Sequence, residues 1–189
     1  ISSWVNSVPI HALGVLGTIE QAQKHDRYDE VREVHAKVDQ WILNYMQAAY
    51  DPEAHHLRSI LLDGQDVTDL VFTEEATLYG WGAQPGGSFR HRPVTPAFFA
   101  AVAQGFRLCS SPESKAHYWK LLRNLYRGAG LGDIGENSRA TPTFNYGAKA
   151  RVEDGYVFGL SEIYRVTRAP ETLRFMEHLG REIIQRRQD

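Results

Sequence analysis

FRLCSSPESK at residues 106–115 and YRVTRAPETL at residues 164–173 decide the fold. An aromatic residue, Arg, Pro and Glu recur at one offset, with Phe106 and Tyr164, and Pro112 and Pro170, each 58 residues apart. Each phrase reads as the joint of a helical hairpin. The aromatic closes one helix, a short polar turn follows, and proline opens the next helix where its missing N–H costs no hydrogen bond. A joint reused at fixed spacing marks a repeated supersecondary unit.

Working outward from the joints gives three helix pairs. The central pair opens at Thr95-Pro96, an N-cap hydroxyl followed by proline, and runs through Phe98, Phe99, Val102 and Phe106. Its partner starts after Ser111-Pro112-Glu113 and carries Tyr118, Leu121, Leu122 and Leu125. The last pair spans about 153–166 and 170 to the tail, with Tyr156, Leu160, Ile163, Leu173, Met176, Leu179 and Ile183 as apolar positions. The first pair spans about 11–25 and 28–50. Leu13, Leu16 and Ile19 mark one apolar stripe there, and Val31, Val34, Val38, Trp41 and Tyr45 the other. The residues 20–31, EQAQKHDRYDEV, read as a degenerate copy of the joint without its proline. The expectation is a mostly α chain of three helical hairpins, one domain over 1–189.

Composition narrows the partners. The chain has 189 residues, 42% hydrophobic content and a net charge of −2 with its cations dispersed, so it can build a core but offers no basic face to nucleic acid. No apolar run approaches the roughly 18 residues of a membrane span. Cys109 is the only cysteine, which excludes an internal disulfide and any cysteine-based zinc spacing, and it reads as a small buried hydrophobe. The start at Ile1, without Met or leader, suggests a chain processed or excised from something longer.

Two long connections, about 51–94 and 128–150, join the hairpins, and their aromatic content sets them apart from solvated linkers. Connections of this kind in helical repeats share one rim. In the first, residues 66–75 read as a short strand pair or turn. Tyr79 and Trp81 offer flat faces to a sugar ring, Arg90 a planar fork for a carboxylate, and Gly86-Gly87 a close backbone approach. His91 beside Arg90 makes a candidate catalytic pair, although an arginine serves as a base only under strong perturbation. Asp63, before Gly64, and Asp133, in the second connection, are candidate substrate-binding carboxylates with competing roles in turns and caps. His55-His56 lacks a third metal ligand unless Glu74 or Glu75 folds back, so no metal ligand is assigned. His11, His35, His117 and His178 read as structural. Gly130, Gly132 and Gly135 spell GxGxxG but follow a helix, so they read as a glycine-rich helix exit rather than a dinucleotide loop.

Three stretches together carry a family resemblance: LLDGQDVTDLVF with TLYGWG (residues 61–72 and 77–82), GLGDIGENS (130–138), and GYVFGLSEIYRVTRAPETLRFMEHL (155–179). Over roughly residues 8–187 the pattern resembles the C-terminal half of helical-toroid pectate lyases of the polysaccharide lyase family 2 type, and the joint is similar to those of (α/α)-toroid carbohydrate-active enzymes in general. The resemblance implies that the three hairpins form part of an (α/α) toroid completed by a missing segment or a second chain. It implies β-elimination on polygalacturonate, periplasmic or secreted with a cytoplasmic alternative, and a divalent metal such as calcium or manganese. The histidine–glutamate metal site and arginine base expected of the family match no positions in this chain, which would then supply groove and barrel. A sugar isomerase or glycoside hydrolase on the same toroid, or a non-catalytic helical repeat, are the competing expectations.

Overall fold

The computed structural model describes residues 7–60, 64–71, 73, 76–78, 81–83, 85–87, 92–147 and 154–186. Helices α1 (Ser7–Lys24) and α2 (Arg32–Ala49), α3 (Pro96–Leu108) and α4 (Pro112–Gly128), and α5 (Asp154–Thr167) and α6 (Pro170–Arg186) form the three hairpins. The 58-residue period holds in three dimensions. Helices α3 and α5 begin 58 residues apart, and α4 and α6 both begin and end 58 residues apart. Thr95 and Ser111 cap α3 and α4 through their hydroxyls, accepting from Phe98 N–H and Ser114 N–H at 3.2 and 3.1 Å, with proline next in each case.

Helices α1, α3 and α5 lie side by side in that order, and α2, α4 and α6 pack against their own partners as a second layer. Helix α3 is central, and every residue from Phe98 to Phe106 is buried. A helix with no polar face belongs inside a core. It meets α5 closely because α5 has glycine at the contact. A Cβ at Gly155 would stand 2.6 Å from the Pro96 carbonyl oxygen, and one at Gly159 would strike the Phe99 ring. At the far end of these helices, Arg107 of α3 donates to Glu20 of α1 at 2.7 Å and to Glu162 of α5, which also meets Arg165 at 3.1 Å. One guanidinium thus ties all three helices of this layer.

The first hairpin departs from its expected form. A 3₁₀ turn (Tyr28–Glu30) precedes α2, and α1 starts about four residues earlier than the periodicity suggests. The apolar stripe assigned to α2 is only partly turned inward: Val38 and Tyr45 pack against the core, whereas Val34 and Trp41 are 54% and 45% exposed. The buried face instead carries His35, Asp39, Ile42, Leu43 and Met46. Asp39 is buried because it caps the α3–α4 joint: its carboxylate accepts from Ser110 N–H, Ser110 Oγ at 2.8 Å and the Tyr118 hydroxyl at 3.2 Å. Tyr118 in turn is held well above the usual phenol value by burial first and by Asp39 next. Cys109, beside this joint, is half-buried, and burial pushes its thiol up to about 11.

The connections carry short strands. β1 (Tyr50–Asp51), β2 (His56–Leu57) and β5 (Arg92–Pro93) form one antiparallel sheet, in which Tyr50 opposes Leu57 and His56 opposes Pro93. β3 (Ala76–Leu78) and β4 (Trp81–Ala83) pair antiparallel with Leu78 opposite Trp81, and β6 (Gly132–Asp133) pairs with β7 (Thr143–Phe144). Among the described residues of 66–75, Asp66 bridges to Ile60, and Val67 N–H and Leu70 N–H donate to the Ser59 and Val67 carbonyls at 2.9 and 3.1 Å.

Candidate functional site at the α4 exit

Both connections meet where α4 ends. From the first, buried Tyr50 directs its hydroxyl to the Asn124 carbonyl at 3.1 Å and to His55 Nδ1 at 2.9 Å. The His55 ring rests on Gly128, where an added Cβ would lie 2.6 Å from Cγ and 2.9 Å from Cε1. The second connection starts at the same place. Gly130 takes φ +69 and closes α4 in a Schellman turn, with Leu131 N–H to the Tyr126 carbonyl at 2.9 Å and Gly130 N–H to the Arg127 carbonyl at 3.0 Å. The glycine-rich segment is therefore a helix exit, as its position after a helix indicates.

Gly132, at φ +121, runs so close to β7 that a Cβ would collide with the Thr143 carbonyl and stand 2.8 Å from Phe144 Cα. Only glycine fits there. Next to it, Asp133 receives Arg123 Nε and Nη2 at 2.9 and 3.1 Å, Arg127 Nε at 2.9 Å and Gly135 N–H at 2.8 Å. Arg123, with these further donors, holds the Asp133 carboxyl far below the ordinary carboxylate range. The carboxylate is saturated, while the Arg127 side chain keeps 52% exposure. Arg127, Gly130, Gly132, Asp133, Thr143, Phe144 and Asn145 line an open depression of about 430 Å³. Phe144 in its wall stacks on Phe175 with centroids 4.4 Å apart, and the half-exposed Tyr146 packs edge-on against Phe175.

Among the expected site residues, Asp133 lies in this depression. Asp63, Tyr79, Arg90 and His91 lie outside the described residues, as do Glu74 and Glu75; Trp81 is described by its backbone in β4 alone. His35, His117 and His178 bond to Tyr28, Gln47 and the Tyr146 carbonyl, in keeping with structural roles. Sequence reasoning missed Arg123 and Arg127. Their i, i+4 spacing in the last turns of α4, followed by an aspartate in a glycine-rich exit, was the available signal. It also missed Tyr50 and Gly128, which no local pattern announces, and weighed His55 only as a metal ligand.

The family model of periplasmic pectate lyases matches residues 5–189, nearly the whole chain. This chain belongs to that family. Lyase degradation of pectate, an acidic polysaccharide, is the activity the family carries, and its description as periplasmic agrees with the expected compartment. Pectate lyases generally depend on calcium, yet among the described residues no group of three His, Cys, Asp or Glu side chains is placed to hold a metal ion. The carboxylate of Asp133 is already filled by arginine and amide donors. No metal ligands are identified among the described residues of this pectate lyase chain, and no chemical step is assigned to a metal. Among the described residues no helix is long and apolar enough to cross a membrane.

Proposed function

We propose that this chain takes part in β-elimination of polygalacturonate, with the depression at the α4 exit binding a uronate of the substrate. The observation that carries the reading is Arg127, a half-exposed guanidinium fixed by Asp133 at the edge of an open hollow with a glycine floor. A planar fork held in place loses little entropy on gripping a carboxylate. Neutralising that carboxylate acidifies the neighbouring C5–H, which is the demand of a reaction that removes this proton and expels the C4 oxygen. Asp133 serves as the positioning residue for Arg127 rather than as a direct ligand. Tyr79 and Trp81 as stacking rings, Asp63 as a polar contact, and Arg90 with His91 as the proton-handling pair remain the assignments for the first connection.

The reading includes an architecture larger than three hairpins, part of an (α/α) toroid. Its support is the repeat: Ile184 of α6 is 58% exposed, whereas its counterpart 58 residues earlier, Tyr126 of α4, is fully buried beside Phe144 of the following connection. The equivalent flank of α6 is suited to a further connection or chain.

Incubation of the protein with polygalacturonate, followed by ultraviolet absorbance of the unsaturated product, tests the activity. Absence of product with and without divalent metal would remove it. Arg127→Ala is expected to weaken oligogalacturonate binding about 10-fold, the scale of one charge-assisted contact at a partly exposed site; an unchanged titration would take Arg127 out of the groove.

A further inference from the structure

Three departures from ordinary local structure coincide at the α4 exit. His55 takes φ +50, a left-handed conformation that residues other than glycine visit rarely. Gly128, the last residue of α4, lacks a side chain where a Cβ would collide with the His55 ring. Tyr50 buries its ring and turns one hydroxyl to two partners. Each explains the others, because the strained backbone at His55 lays the imidazole on the bare Gly128 and its Nδ1 against Tyr50. Strain retained at one spot points to use of the group it places.

Hydrogen-bond accounting then fixes the tautomer. The Tyr50 hydroxyl has one proton, and the Asn124 carbonyl can only accept. If the proton went to Nδ1, phenol and carbonyl oxygens would face each other at 3.1 Å with nothing between them. With the proton on the carbonyl side, the phenol oxygen accepts from Nδ1–H and all three groups are paired. The second arrangement makes one more bond, worth about 1 kcal/mol, and leaves Nε2 unprotonated. Among the described residues Nε2 has no hydrogen-bond partner, nor is it one of the polar atoms sealed away without one. Burial, and then the neighbouring His56, hold the imidazole below the ordinary histidine value, which keeps the ring neutral near pH 7.

We infer that His55 presents Nε2 at the rim as the acceptor for a sugar hydroxyl of the uronic-acid chain, held there by Tyr50 and Gly128. A nitrogen lone pair repels a carboxylate and suits a hydroxyl; His55 rests on Gly128, the residue after Arg127, and lies outside the residues that line the depression. For its ligand the inference rests on the polygalacturonate reading above; for the tautomer it does not.

Nitrogen-15 NMR of the histidine-labelled full chain separates the two parts. Nδ1 of His55 is expected protonated and Nε2 unprotonated, with Tyr50→Phe mixing the tautomers. Titration with oligogalacturonate is expected to shift Nε2 along with the other responding resonances, and His55→Gln to weaken binding several-fold while the circular dichroism spectrum holds. A protonated Nε2 at rest would overturn the inference. So would an Nε2 that stays put while other resonances saturate, an outcome that leaves the uronate site standing. If no resonance moves, the polygalacturonate reading fails and takes the ligand assigned to His55 with it.

Discussion

Gly128→Ala tests the contact on which the α4 exit is built. Gly128 is the last residue of α4, so on local grounds alone alanine should be neutral or stabilising by up to about 1 kcal/mol, the helix-interior limit. Against that, the new Cβ would lie 2.6 Å from Cγ and 2.9 Å from Cε1 of His55, and nearer still to Nδ1. The ring must leave. Its departure forfeits the Tyr50–His55 hydrogen bond, about 1 kcal/mol, and the crowding costs about 1–3 kcal/mol more. The net expectation is a loss of about 1–3 kcal/mol, seen as a Tm lower by a few degrees up to about 10 °C in a chain of this size. Urea unfolding followed by circular dichroism measures it. The decisive arm is the same substitution in a His55→Ala background: with the ring gone, alanine at 128 should be neutral or stabilising by up to about 1 kcal/mol. Equal effects in both backgrounds would refute the reasoning, since the clash would then play no part.

Two further outcomes follow from the ion pairs. Asp133→Asn removes a carboxylate whose folded value is depressed by Arg123, so its contribution is complete above the unfolded carboxylate value near pH 4 and fades as pH falls toward the folded one. The stability gap between the two proteins should therefore be constant at neutral pH and close progressively below about pH 4; a gap that widens in acid would contradict the assignment. Arg107→Ala leaves Glu162, 1% exposed, with only the solvent-facing Arg165, and is expected to cost about 3–5 kcal/mol in urea unfolding. A loss below about 1 kcal/mol would mean that the three helices are not tied through this guanidinium.

The repeat was legible because its joints rest on local rules: a hydroxyl cap, a proline in the first turn and an aromatic at fixed offset act within a few residues of themselves. What failed to show in the sequence depends on partners far along the chain. Val34 and Trp41 look like core positions by period, but α2 turns a different face inward because Asp39 must reach Ser110 and Tyr118, 71 and 79 residues away. Asp133 was a candidate by residue type alone, and the partners that occupy its carboxylate, Arg123 and Arg127, lie one helix earlier in the chain. His55 was weighed as a metal ligand because histidine pairs suggest one, whereas its environment is set by Tyr50, a helix carbonyl and a glycine in α4.

Packing and site are linked through the same glycines. The rim lies at the end where α3 and α5 begin, and the spacing of those two helix starts is set by Gly155 against Pro96 and Gly159 against Phe99. Side chains there would push α5 outward and carry the end of the second connection with it, while β5 leads the first connection directly into Pro96. At the other end Arg107 draws α1, α3 and α5 together through the partly exposed Glu20 and the buried Glu162. Bare backbone at one end and a shared cation at the other thus fix how far apart the helices of this layer stand, and with them how closely the two connections approach. On the proposed reading, a groove for a polymer of charged sugars needs that distance to be constant from one turnover to the next, which loops alone would not provide.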